Sequence, residues 1–399
     1  MAPAPAVVAP PPGHPRFPRV DALRAIAALC VVIAHTTVFG GFAPHAWTTA
    51  LLSGLTVGVP IFFVISGFLL YRPFLAAQVL AAPSTPVRAY AWRRALRIIP
   101  AYWLALTVLG WWAHLHGVFT HDWWRYYLFL QVYSPRTLYG GILPAWTLCV
   151  EVAFYALLPI YAATMRRATR GASRRRRMHA ELAVLAVLAV GSVVLRTIDL
   201  AGPRTVLDNT LLENFDWFAL GMALAVLSVA LEDGQALGAL GRVIARRAPW
   251  CWAAALALYV LLARLFASAS VQVHGIFFQT AWSGLAVHIG FGIIAALFVA
   301  PAVFVRERSA PARVLAWLGL VSYGIYLWHD PLLGKLLQHG AYSWWPHHPF
   351  VVLTVVTVAV AVIAAAVSYF AFERPILAYK HLTLGRRAGQ AAPAPRALR

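Results

Sequence analysis

Few residues in this chain can do acid–base or ionic chemistry, and most of them fall inside long apolar runs, where a charged or titratable group is costly unless paired or functional. In DALRAIAALCVVIAHTTVFG, Asp21 and Arg24 stand at one mouth and His35 follows eleven residues after Arg24. On a helix rising ~1.5 Å per residue, that spacing sets His35 ~16 Å deeper, near mid-membrane. A neutral imidazole there can take a proton from an alcohol; a histidine bonded to a serine or a carbonyl within a helix bundle explains it about as well. Asp21 and Arg24 are as plausibly an ordinary ion pair at a helix mouth. In RRALRIIPAYW, Arg94 and Arg97 lie one turn apart with Arg93 adjacent. Guanidinium pairs on one face grip phosphate bidentately; anchoring at the cytoplasmic interface is the alternative.

Three further segments carry polar groups. GVPIFFVISGFLLYRPF contains Ser66 beside Gly67, a place where another helix or a ligand can approach closely. PAWTLCVEVAFYALLP contains Trp146, Thr147 and Glu151, and a glutamate near the start of a span needs a partner. In GLVSYGIYLWHDPLL, Ser322, Tyr323, Tyr326 and His329 form one polar-aromatic helix face, with Asp330 and Pro331 at its outer end. Asp216 and Glu373 sit near the ends of two more runs, where interfacial snorkelling or local ion pairing explains them about as well as function does.

The elements that must position these groups follow from composition. The chain has 399 residues, 61% hydrophobic and 12% charged, with a mean hydropathy of +0.71. Soluble domains carry about 25% charged residues, so a soluble enzyme, a disordered protein and a disulfide scaffold are all excluded. The expected fold is all-α: a polytopic transmembrane bundle of about ten spans, near 22–41, 52–71, 98–118, 145–165, 180–198, 214–232, 249–267, 281–304, 314–337 and 350–372. The aromatic piece 123–134 is too short to cross and reads as re-entrant or interfacial. With both termini cytoplasmic, 27 of the 33 Lys and Arg residues fall on the inner side. The net charge of +20 therefore marks cytoplasmic loops rather than nucleic-acid binding. Residues 1–18 and 381–399 read as disordered cytoplasmic arms flanking a 19–380 membrane domain, with no cleavable signal peptide. Cys30, Cys149 and Cys251 lie in separate apolar runs without metal spacing, so no metal site is expected.

Taken in order, DALRAIAALCVVIAH, IFFVISGF, RRALRIIPAYW, WTLCVEVAFYALLP, SYGIYLWH and FERP resemble the acyltransferase-3 family of integral-membrane O-acyltransferases, nearly end to end from about 19 to 376. Arg24 and His35 reproduce the family's Arg-x10-His. The resemblance implies His35 as catalytic base, Arg24 as its support, and Arg94 and Arg97, with Arg93 beside them, as the acyl-donor site. Asp21, Ser66, Trp146, Glu151, Ser322, Tyr323, Tyr326 and His329 are expected to line the cavity. Thr147 stands where the family often has Ser, and Ala22 and Ala25 where it usually has Gly. Some members carry a C-terminal hydrolase-like domain; this chain ends after its tenth span and is expected to act without one.

The implied reaction is O-acyl transfer from acyl-CoA, acetyl-CoA being the expected co-substrate, with no bound cofactor. The acceptor is a hydroxyl on a sugar, a cell-envelope glycan or a secondary metabolite such as a macrolide. Transfer runs either directly or through an acyl-histidine relay. The expected location is the inner (plasma) membrane, in contact with lipid. Trp344 and Trp345, on an outer loop, suit sugar stacking or an interfacial belt. The rival from another class is a transporter or flippase, which ten spans and midplane polar groups also fit; the internal repeat common in transporters is absent from the sequence.

Overall fold

A computed structural model describes residues 17–42, 46–83, 86–201, 207–266, 270–273, 276–279, 281–305 and 313–381. Nearly all of the expected N-terminal arm, and the tail from 382, lie outside the described residues.

Among the described residues, ten long helices carry the apolar runs: α1 Pro18–Thr37, α2 Gly58–Val79, α3 Val87–Trp112, α4 Trp146–Ala168, α5 Arg174–Ala201, α6 Leu211–Glu232, α7 Ala248–Phe266, α8 Ala281–Phe304, α9 Arg313–Gln338 and α10 Pro349–Ser368. Among the described residues, nine helical segments are both long and apolar enough to cross a membrane. The exception is α9, whose 26 residues give it the length but whose tyrosines, His329 and Asp330 dilute its hydropathy. The segment at 123–134 does not cross. It forms a five-residue helix, Trp123–Tyr127, and a 3-10 turn, Gln131–Tyr133. It is tied to α3 by Tyr102 Oη–H donating to the Tyr126 carbonyl (3.0 Å) and Trp103 Nε1–H donating to that of Tyr127 (2.9 Å). An antiparallel hairpin, β1 Ser270–Val273 with β2 Ile276–Gln279, joins α7 to α8 and was not expected from an all-helical reading.

Alanines and aromatics decide the packing. At the centre α2 crosses α6 at backbone contact: a Cβ on Gly67 would collide with the Phe218 carbonyl, and one on Gly221 with that of Val64. The approach that Ser66-Gly67 permits is thus that of a helix. Around the crossing, Phe63 stacks on Phe218 (4.5 Å between centroids) and Phe218 on Phe154 (4.1 Å). On the other side, α9 lies between α1 and α10, with Ala28, Val32, Val321, Ile325, Ala361 and Ala365 forming one buried cluster. The small side chains let α1 and α9 run close together, which brings His35 and His329 into register.

Candidate active site

Among the described residues, two cavities lie inside the bundle, and a third between them shares wall residues with each. The first is lined by Arg24 of α1, Ser66 of α2, Arg94 and Arg97 of α3, Glu151 and Tyr155 of α4, and Tyr323 of α9, with an accessible volume of about 50 Å3. Its one carboxylate is already engaged: Ser66 Oγ–H donates to Glu151 Oε1 (2.9 Å) and Tyr155 Oη–H to Glu151 Oε2 (2.8 Å). The partner that Glu151 requires is therefore a pair of hydroxyls and not an arginine. Arg24 Nε and Arg94 Nε are buried without a hydrogen-bond partner among the described residues. Arg24 makes no ion pair with Asp21, so a helix-mouth pair does not explain it.

The second cavity, of about 330 Å3, holds His35, Trp146 and Tyr326 on one side and Arg196, Asp199, Asn209, Asn214, Trp217 and His288 on the other. The small third cavity is lined by Arg24, Phe62, Thr147, Glu151, Tyr323 and Tyr326 among others, so it shares walls with both. In it Thr147 Oγ1 and Tyr326 Oη lie 2.8 Å apart, and both reach the Pro144 carbonyl at 3.0 Å.

His35 is two residues from the end of α1 and lines this cavity, its side chain 28% exposed. Behind it, His329 is fully buried. His329 Nδ1 faces the carbonyls of Tyr326 (2.8 Å) and Ile325 (3.2 Å), both pure acceptors, so this nitrogen carries the hydrogen. In the neutral ring Nε2 then holds the lone pair and accepts from His35 Nδ1–H at 3.0 Å. The same His35 nitrogen lies 3.7 Å from Asp330 Oδ1, which favours a hydrogen there too. One tautomer of His35 results, with Nε2 unprotonated and able to act as base or nucleophile.

The residues singled out in the sequence are thus divided between sites. Arg24, Arg94, Arg97, Ser66, Glu151 and Tyr323 gather at the first cavity, His35 and Trp146 at the second, and Tyr326 at the junction. Four expected residues line none of the three cavities. Arg93 does not line the cavity that Arg94 and Arg97 share. Asp21 is exposed, and its backbone forms the surface against which Gly319 packs. Ser322 is buried and donates back to the Gly319 carbonyl (2.9 Å). His329 acts on the cavity only through His35. Missed by the sequence reading were Tyr155, Arg196, Asp199 and His288, although a His, an Arg and an Asp inside apolar runs are the same costly-group signal that singled out His35. Asp216 is not a snorkelling end residue: both its oxygens lie 3.0–3.1 Å from His288 Nε2. Glu373 accepts from Ser368 Oγ–H (3.1 Å).

The acyltransferase domain family matches residues 17–366. YrhL of Bacillus subtilis (strain 168) is 25% identical over 402 residues, covering 94% of this chain and 57% of its own. The peptidoglycan O-acetyltransferase OatA of Listeria monocytogenes is 23% identical over 335 residues, 79% of this chain and 49% of its own. Nodulation protein 10 of Rhizobium leguminosarum bv. viciae is 26% identical over 393 residues, covering 92% of this chain and 95% of its own. The chain spans about half the length of the first two relatives. No solved structure matches it. With the family's pattern running over most of its length and ten long helices to carry it, the chain belongs to the acyltransferase-3 family of integral-membrane acyltransferases.

Proposed function

We propose that this protein is a plasma-membrane O-acyltransferase that takes an acyl group, acetyl in the first instance, from cytoplasmic acyl-CoA and delivers it to a glycan hydroxyl in the histidine cavity. The observation that carries the reading is the pair of neighbouring cavities: three guanidinium groups against one carboxylate at one end and an imidazole with one unprotonated nitrogen at the other. Arg94 and Arg97 lie in the first half of α3, the end that the arginine distribution assigns to the cytoplasm. Three guanidinium groups facing one carboxylate that is held by hydroxyls suit the phosphates of CoA. The small cavity between the two, walled by residues of both, lies where the thioester end would reach His35.

At the histidine cavity, His35 Nε2 takes the proton of the acceptor hydroxyl as its oxygen bonds to the acyl carbon. The C–S bond breaks, and the imidazolium returns the proton to the departing thiolate. The lone pair is nucleophilic as well as basic, so an acyl-histidine route would use the same atom. The acceptor class rests on relatives such as OatA, whose name assigns it to peptidoglycan.

Purified protein in liposomes, supplied with labelled acetyl-CoA and soluble peptidoglycan fragments, should yield acetylated saccharide. Movement of saccharide across the bilayer without acetylation would overturn this reading in favour of a flippase. Reporter fusions at residues 172 and 343 should fall on opposite sides of the membrane; the same side for both would remove the cytoplasmic donor site.

A further inference from the structure

Between α6 and α7 the chain runs through an eight-residue helix, Ala239–Arg246, that takes no part in the chemistry above. At about 3.6 residues per turn its sequence, ALGRVIAR, sorts into three sectors. One packs on the bundle: a Cβ on Gly241 would collide with the Phe304 ring at the end of α8, and Ile244 and Ala245 lie against the main core. The second is apolar and bare, with Leu240 50% and Val243 54% exposed. The third holds Arg242 and Arg246, four residues apart and both exposed, and Arg247 follows at the end of the helix.

This helix stands at the level where the spans end. α6 stops at Glu232, α7 starts at Ala248, and α8 stops at Phe304, beside Gly241. Arg174, the first residue of α5, reaches Asp233 at 2.7 Å on the same end of the bundle. Trp250, at the start of α7, is 71% exposed, as aromatic residues at a membrane interface are. The acids nearest in sequence are already engaged: Glu232 pairs with Arg72 (2.7 Å) and Asp233 with Arg174. Among the described residues Arg242, Arg246 and Arg247 make no ion pair, and like charges four residues apart on a helix repel. An anion between them removes that repulsion.

We propose that the helix Ala239–Arg246 holds one anionic glycerophospholipid of the adjoining leaflet, with its phosphate gripped by Arg242 and Arg246 and its acyl chains laid along Leu240 and Val243. Guanidinium groups on one helical sector suit a phosphate, which they can bond bidentately. The apolar sector beside them calls for a ligand that is anionic at one end and hydrocarbon at the other, since a free phosphate would leave Leu240 and Val243 uncovered. A zwitterionic headgroup brings its own ammonium, which three arginines repel, so the site selects a net negative lipid. Positive charge that only orients a loop needs no arrangement. Here the charged and the apolar residues occupy adjoining sectors of one helix, the pattern of a helix lying in the interface plane. The site is separate from α3, which carries Arg94 and Arg97, so lipid binding stands or falls independently of acyl transfer.

The test is native mass spectrometry of delipidated, detergent-purified protein with dioleoylphosphatidylglycerol or dioleoylphosphatidylcholine. The wild type should carry a phosphatidylglycerol adduct at lipid concentrations where phosphatidylcholine gives none. Arg242→Gln with Arg246→Gln should lower its occupancy about tenfold. Arg166→Gln with Arg167→Gln, an equal loss of charge from the exposed end of α4, should leave it unchanged. Leu240→Gln with Val243→Gln should also weaken binding, and glycerophosphoglycerol, the same headgroup without chains, should not displace the lipid. Phosphatidylglycerol should raise the wild-type Tm where phosphatidylcholine does not, a readout that needs no variant. Equal occupancy by the two lipids, or full occupancy in the Arg242 and Arg246 variant, would overturn the proposal. An equal loss in the Arg166 and Arg167 variant would overturn it too, by reducing the arginines to a diffuse positive surface. Displacement by glycerophosphoglycerol would replace it with a phosphate site indifferent to lipid.

Discussion

The two cavities are built from similar materials and reach opposite electrostatic results. At the arginine cavity, two hydroxyls occupy both oxygens of Glu151, so three guanidinium groups face the space without a carboxylate bonded to them. At the histidine cavity, Arg196 and Asp199 face the space together, with Glu213 close to the arginine and Asp216 bonded to His288. The whole chain carries 33 Lys and Arg against 13 Asp and Glu, but residues 196–233 carry six acids against two arginines. What separates them is which acid is within reach of which base. A net positive cavity selects a phosphate-bearing ligand, and one whose single guanidinium is outnumbered by carboxylates disfavours it.

The difference can be broken most severely at His35. His35→Ala should lower acetyl transfer by about 10²–10⁴-fold, on the order of 3–5 kcal/mol, with little loss of folded protein. Turnover at the wild-type rate, or unfolding without any change in specific activity, would make His35 a packing residue and the histidine cavity a bystander. At the other end, Arg94→Ala and Arg97→Ala should each weaken acetyl-CoA binding by roughly 1.5–3 kcal/mol, the scale of a charge-assisted contact. Donor affinity equal to wild type in both would mean that these arginines only anchor the helix.

A finer cut falls on His329. His329→Ala should reduce kcat by about tenfold to a hundredfold, the scale on which loss of an orienting partner weakens a functional imidazole, while KM for acetyl-CoA stays near wild type. His329→Gln keeps an amide oxygen that can accept from His35 Nδ1–H, and should recover part of the loss. A purely structural role for His329 predicts instead a fall in Tm with kcat per folded molecule unchanged. Smallest of all is Asp21→Asn: the side chain is exposed and lines neither cavity, so transfer and Tm should match wild type. A large loss there would restore Asp21 to the arginine site and alter its charge balance.

Much of this was legible in the order of residues. Apolar runs of spanning length need no partner to be recognised, because a helix satisfies its own backbone in lipid and length alone sets the crossing. The pairing of Arg94 with Arg97, and the face shared by Tyr323 and Tyr326, follow from helical periodicity in the same way. Ser322 shows where periodicity fails: it lies on the same helix, but its hydroxyl turns back to the Gly319 carbonyl and never reaches a cavity. Asp21 fails similarly, because proximity to Arg24 along the chain says nothing about which side of α1 faces the bundle.

By itself, then, the sequence determined the number and apolarity of the helices, the family, and the residue types that chemistry would need. Tertiary structure alone decided that Glu151 is satisfied by Ser66 and Tyr155, that His329 sets the tautomer of His35 across 294 positions of chain, and that Asp216 finds His288 across 72. The reason is geometric. Periodicity tells which residues share a face of one helix, whereas the charge of a cavity and the proton on an imidazole depend on atoms about 3 Å apart on different helices, and that distance is set by how the helices pack.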